Sequence, residues 1–431
     1  MILRLSTATA RGLLVLLALA LAAGLSYSAI RNAIAEHEVG LNTHEGYERA
    51  TKLEPDEARN WYLLGRYWQY NLEDPEAQRA IQAYQTALSL DPHSASTFMD
   101  LGSAYESQGD FTHARNALLQ AKRAYPLSPE VAWRYGNFLL RQGELDAALT
   151  EIKRAVEVEP KRGAGAFALG MRVDPDINVV IDRVLPHSQE AYLSVISALT
   201  EQQQSDQALL VWSRLTALQP RFPLREAYPL LEALLHKRQM TEAQRVWDQA
   251  LNIAAVSRPS DPTNSLVWDG GFESNTIGGG FTWRYPAVIG GVQIRVDAKE
   301  RHSGNRSLRL IFNGLQNVNF SDVCQYVAVQ PSTSYKFSAW VKTRALSTDQ
   351  GIRFGLHSIS GTDNSIVWTN DLRDTQPWTP IVLPWTSGKD VRELQLCVTR
   401  LPSGQFDSKI HGSAWIDDVL LTPESAEPAK Q

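Results

Sequence analysis

The residues able to do chemistry are scattered along this chain. Nine histidines are spread over 431 residues, and no HExxH, GxSxG or GxxxxGKS/T spacing occurs. "GGG" at Gly278 to Gly280 lacks the following helix pattern that a phosphate cradle requires. Acid-catalysed glycoside cleavage needs two carboxylates facing each other across a cleft, and no such pair is recognisable. "EHE" at Glu36 to Glu38 reads as a solvated helix face. No catalytic residue is expected, so the chain reads as a non-enzyme. The two cysteines, Cys324 and Cys397, are too few for a zinc site. An exported chain would permit a disulfide between them, and two isolated cysteines serve equally as small core hydrophobes.

What positions these residues is a chain long enough for two or three folded units. With 21% charged residues and a net charge of -5, there is no cationic surplus of the kind that phosphate backbones recruit, so nucleic acid is not expected as a partner. The first 31 residues differ from the rest. After Arg4 and Arg11, no charge occurs from Gly12 to Ile30, and such a helix would reach about 28 Å, close to a bilayer core. The order of arginines and apolar run places the amino end in the cytoplasm and the bulk across the membrane. A cleaved signal, with a small-x-small site at Ala20 to Ala22, is the alternative; the apolar run continues past that site, which favours an uncleaved anchor. Residues 1–31 are therefore read as a cytoplasmic stub and membrane anchor.

Prolines in "SLDP", "RAYP" and "EVEP" recur at Pro92, Pro126 and Pro160, 34 residues apart. In that register Phe98, Leu101, Gly102, Tyr105, Ala114, Leu118 and Ala121 are followed by Trp133, Gly136, Leu139, Ala148, Ile152 and Ala155. Small residues let helices approach and large ones fill the gaps, while Gly109 and Gly143 sit where a left-handed residue can end a helix. The pattern resembles the tetratricopeptide repeat family. Weaker copies flank it, one with an insertion at "NLEDPEAQ", one broken by "DPD" at Asp174 to Asp176, giving an α-solenoid over 33–256. The resemblance implies a concave protein-binding groove carrying Tyr62, Arg66, Met99, Trp133 and Asn137, with Trp133 as a candidate anchor.

"SRPSDPTNS" has no apolar period and reads as a linker, 257–265. Beyond it come short alternating runs such as "SLRLIF", "YKFSAWVKT" and "ELQLCVT", the pattern of an antiparallel β-sandwich or jelly roll over 266–422, with a disordered tail at 423–431. "LVWDGGFE", "HSGNRSLRL", "VCQYVAVQPSTSYKFSAWVKT", "PWTPIVLPW" and "AWIDDVLL", in this order, resemble the jelly-roll carbohydrate-binding modules of the galactose-binding-like 4/9 type. That resemblance implies sugar stacking on aromatic rings, for which Trp283, Tyr285, Trp368 and Trp378 lie near expected loops or strand ends. Trp340 and Trp415 are expected in the core. It also implies a structural calcium held by Glu273 and Asp417, against which stands the simpler reading that Glu273 bonds the adjoining turn and Asp417 caps the last strand. No other cofactor is expected.

The whole arrangement resembles bacterial envelope proteins, some of them linked to exopolysaccharide production. It implies a single-pass inner-membrane scaffold with its bulk in the periplasm, recruiting proteins through the groove and touching polysaccharide through the jelly roll. The alternative is a protein–protein scaffold whose sandwich is only a structural cap.

Overall fold

The computed structural model describes residues 8–71, 76–257, 264–275, 278–359 and 364–424. Residues 1–7 of the expected stub, 72–75 of the insertion, 258–263 of the expected linker and 425–431 of the expected tail lie outside the described residues. The chain forms two compact units, Met1–Ser194 and Val195–Gln431.

The first unit is helical: α1 (Ala8–Gly40), α2 (His44–Leu53), α3 (Ala58–Tyr70), α4 (Ala77–Leu90), α5 (Ala95–Ser107), α6 (Phe111–Ala124), α7 (Pro129–Arg141), α8 (Leu145–Val158), α9 (Gly163–Val173) and α10 (Ile177–Val184). α11 (Gln189–Glu201) runs across the division. Within α1 the stretch Arg11–Gly40 is long and apolar enough to cross a membrane or to be a signal sequence, with a mean hydropathy of 2.3. The same helix continues unbroken until Ala35 and Val39 pack against Ala50 of α2.

The 34-residue period appears as helix pairs with repeated caps. Ser94 and Ser128 each accept a hydrogen bond from a backbone N–H three residues on, opening α5 and α7 alike. Gly109 and Gly143 turn the chain between paired helices at φ 75° and 79°, a conformation nearly free of cost only for glycine. Close packing follows from Gly102 and Gly136, where an added Cβ would lie 2.9 Å from Leu118 Cγ and Ile152 Cγ1. The "DPD" segment does not end the array: Asp176 caps α10 by accepting from Asn178 N.

The second unit begins with helices, α12 (Ser205–Ala217), α13 (Tyr228–His236) and α14 (Met240–Ala254), and continues as two antiparallel sheets. Its strands are β1 (Val288–Ile289), β2 (Val292–Asp297), β3 (Ser307–Asn313), β4 (Phe320–Ala328), β5 (Ser334–Leu346), β6 (Arg353–Ile359), β7 (Ile366–Trp368), β8 (Asp374–Thr386), β9 (Glu393–Arg400) and β10 (His411–Pro423). One sheet has the order β1-β2-β3-β10-β5-β8 and the other β4-β9-β6-β7. Their facing sides form one core that includes Phe312, Phe320, Tyr335, Phe337, Phe354 and Leu396, as period-two patterning requires. Helices and sheets meet in this unit: Trp247 of α14 packs edge-on against Trp268 and Phe281, at 5.2 and 5.8 Å between ring centroids.

The close approach at Gly136 has a measurable consequence. Gly136→Ala should lower stability by about 1–3 kcal/mol in urea unfolding, because Ile152 must give way, while Gly404→Ala, with nothing within 4 Å of the added carbon, should change it by less than about 0.5 kcal/mol. Equal effects would remove the close-packing account.

Candidate functional site

Strand alternation assigns the chemistry of the four-stranded sheet. Val323, Leu356, Leu396 and Val398 point into the core, so the residues between them face outward. Two rows cross this outer face in register. One contains Cys324 opposite Cys397, Cys397 opposite Gly355, and Gly355 opposite Trp368. The other contains Tyr326, Gln395, His357 and Ile366. Cys324 and Cys397 are joined by a disulfide that ties β4 to β9 with 4.2 Å between Cα atoms. Trp368 lies over Gly355, where an added Cβ would meet its ring at 2.5 Å. Glycine thus lets the indole lie close over the sheet, and 36% of the Trp368 surface stays exposed.

The β4 edge of the same face is bounded by polar groups. Arg284 bridges to Cys324, so it shares that row, and its guanidinium lies 4.6 Å from the Tyr326 ring centroid. Its Nη2 donates at 2.6 Å to Glu232 of α13, which also accepts from Gly280 N at 2.8 Å. Glu393 shares the outward side of β9 yet is only 4% exposed, and its Oε2 has no hydrogen-bond partner among the described residues. Burial pushes its carboxyl up to about 7 against the pull of Arg238 and Arg284.

In the helical unit a second constellation gathers around Asp100 of α5, which is 3% exposed. It accepts from Tyr62 at 3.0 Å, Tyr70 at 3.5 Å and Arg134 at 2.8 Å, with Arg66 Nε at 3.7 Å. One buried carboxylate therefore joins the first helices of three successive pairs, α3, α5 and α7. Burial, and then the Asp100 charge, raise the Tyr62 hydroxyl above its ordinary range, as a phenol donating to a carboxylate should be.

The sequence-expected residues separate on this structure. Tyr62 and Arg66 lie at the Asp100 cluster, whereas Met99 is only 8% exposed and belongs to the core between α5 and α7; the neighbouring position, Asp100, makes the polar contacts. Trp133 is half-buried, against Gly165 and beneath the Arg162 guanidinium at 5.5 Å from its ring centroid, and Asn137 donates to the Trp133 carbonyl. Trp283 is corrected from a loop residue to a core one: it is 1% exposed, stacks near Phe272 and donates Nε1 to the Asp269 carbonyl. Tyr285 is half-buried against the same core. Trp368 and Trp378 lie on different sheets, so the four aromatics do not form one surface. Trp340, expected inside, points outward instead: its strand neighbours Ala339 and Val341 face the core, and it stacks on His302 at 3.9 Å. Trp415 is 1% exposed, but its register with Lys342 and Arg309 puts it on the outer side, covered by Arg309 and Arg344.

Glu273 and Asp417 both hold the 302–306 loop. Glu273 Oε1 accepts from Asn305 N at 2.6 Å and Arg306 N at 3.2 Å, and Asp417 Oδ2 from His302 N at 2.8 Å and Ser303 N at 3.2 Å. Burial pushes the Asp417 carboxyl up to about 6, against these backbone donors. Among the described residues no group of three His, Cys, Asp or Glu is placed to hold a metal ion.

Residues 264–403 match the family model described as carbohydrate binding domain, and residues 99–166 match the one described as tetratricopeptide repeat. The chain joins tetratricopeptide repeats to a carbohydrate-binding domain. No catalytic family is indicated. Among solved structures, the chain is similar to the xylan-binding domain from Paenibacillus barcinonensis, with 20% identity over 40% of this chain and 100% of that one and a TM-score of 0.28. It is also similar to YrrB, a tetratricopeptide protein with an unusual peptide-binding site, with 19% identity over 50% of this chain and 95% of that one and a TM-score of 0.26. The Pseudomonas aeruginosa protein pilF gives 15% identity, 54% and 95% coverage and a TM-score of 0.28. Comparison with curated proteins finds no match.

The carboxyl of Glu393 in the carbohydrate-binding domain makes stability depend on pH. Its folded value of about 7 lies above the ordinary 4.5, so the folded state holds a proton that the unfolded chain releases. Its contribution is complete below the unfolded value and is lost as pH rises through the folded one. Glu393→Gln, which stays neutral, should be more stable than the wild type at pH 8 and show a flatter urea-midpoint profile between pH 5 and pH 8. Parallel profiles would show that Glu393 is already ionised in the fold.

Proposed function

We propose that this chain is a non-catalytic, exported scaffold tethered by α1, whose carbohydrate-binding domain holds polysaccharide on the outer face of the β4-β9-β6-β7 sheet while its repeats recruit a protein partner. The observation that carries the sugar reading is Trp368, packed over Gly355 and partly exposed at the edge of the sheet. Pyranose rings present C–H groups that lie well against the negative face of an indole. Gln395, His357 and Tyr326 supply hydroxyl partners in the adjoining row. The length and apolar character of Arg11–Gly40, and its continuation as one helix into the packing of Ala35 and Val39, support an inner-membrane anchor with the bulk in the periplasm. A role in exopolysaccharide assembly or export rests on the resemblance to envelope proteins.

A second reading, that the sandwich is a structural cap, is favoured by the seating of Trp247 on Trp268 and Phe281. That contact and Trp368 use different residues, so sugar binding at Trp368 decides between the two readings.

Affinity electrophoresis of the full chain against soluble xylan, mixed-linkage β-glucan and alginate tests the sugar reading. The wild type should be retarded by at least one of them, Trp368→Ala should lose about tenfold or more in affinity with an unchanged melting midpoint, and Trp378→Ala, on the other sheet, should bind as the wild type does. No retardation by any of the three would leave only the cap. In the same preparation, chelator should not move the melting midpoint, while Glu273→Gln should lower it by about 1–3 kcal/mol equivalent through the freed loop donors; a calcium-dependent rise that Glu273→Gln abolishes would instead place an ion between Glu273 and Asp417.

A further inference from the structure

Resting on the sugar reading, the shape of the same face limits how a polysaccharide can lie on it. Its two rows run across the strands. At the β7 edge they are open: Ile366 and Trp368 are 43% and 36% exposed, and β7 is the last strand of its sheet among the described residues. At the β4 edge they end against a wall. Arg284 extends the row by one bridge beyond β4, and beyond Arg284 stands Glu232 of α13, joined to it at 2.6 Å and to Gly280 N at 2.8 Å.

That wall is fixed by packing as well as by the ion pair. An added Cβ on Gly279 would collide with the Tyr228 ring of α13, and Gly280 packs against Trp247 of α14. At the start of β9, Glu393 faces outward yet is nearly inaccessible, with Arg238 of the α13–α14 turn and Arg284 among the charges acting on it. Alternation would leave such a carboxylate in solvent on a bare sheet, so this corner of the face is covered.

A face open on both sides can accept the interior of a chain, because the polymer enters at one edge and leaves at the other. A face open on one side and walled on the other admits only an end. From Tyr326 to Ile366 the open part spans three strand spacings, about 14 Å, room for about three sugar rings. At its closed end Arg284 and Glu232 keep 22% and 43% of their side chains exposed, a donor and an acceptor side by side, suited to the extra hydroxyl that distinguishes a terminal sugar from an internal one.

We infer that this domain binds the terminus of a polysaccharide chain, with the last sugar against the Arg284–Glu232 pair and the following ones running out over Trp368. The number of sites per polymer then depends on the number of ends and not on length. Size fractions of whichever of soluble xylan, mixed-linkage β-glucan or alginate retards the full chain are titrated, and the moles of protein bound per mole of polysaccharide at saturation are measured by sedimentation. The expected ratio stays constant as fraction length grows several-fold. A ratio that rises in proportion to length overturns terminal binding while leaving the sugar reading intact; no binding by any of the three overturns both.

Discussion

The constraint on which the C-terminal half depends is the period of two in a β-strand. Successive side chains leave on opposite sides, so one decision about register sets which residues build the core and which meet solvent. Leu394, Leu396 and Val398 fill the sandwich, and Glu393, Gln395, Cys397 and Thr399 are carried to the other side as a consequence. The same rule brings Trp368 over Gly355 two strands away from the disulfide. A slip of one residue would bury the polar row and expose the core, and the Cys324–Cys397 link across directly paired positions holds the β4–β9 register against that slip.

Much of the architecture was legible because it is periodic. A 34-residue repeat of small and large residues specifies helix pairs with little ambiguity, and alternating β-branched runs specify a sandwich. Individual site residues were less legible, for identifiable reasons. Trp283 and Trp368 look alike in sequence, both flanked by turn-forming residues, but Trp283 lies in an irregular segment that folds onto Phe272, and Trp368 ends a short edge strand. Trp340 sits in an unmistakable strand, yet whether its parity faces the core depends on the partner strands. In the repeats a shift of one position separates Met99, which packs, from Asp100, which gathers Tyr62, Tyr70 and Arg134. Helical registers read from sequence slip by that much.

Asp100 also shows why a buried charge can persist in such an array. A carboxylate removed from water is costly unless it is paired and hydrogen-bonded. Here the donors come from α3 and α7, and with the Glu106–Arg141 pair between α5 and α7 the charge adds direction to a packing that dispersion alone leaves less specific. The tyrosines and arginines it orders are then held in fixed positions on the first helices, as a recognition surface requires.

The helices of the second unit answer a different need. A stack of helix pairs ends with an apolar face that has no successor, and terminal elements must cover it. Trp247 of α14 meets Trp268 and Phe281, so the sandwich supplies that cover from its own opening segment. The residues that accomplish it, Gly279, Gly280 and Arg284, lie within three positions of Thr282, and Arg284 itself makes the bridge to Cys324. Covering the helices and bounding the outer face of the four-stranded sheet are therefore consequences of one short stretch of chain. Any change that loosens its hold on α13 and α14 alters both at once, and the stability of the helical end is physically coupled to the shape of the surface that Trp368 opens.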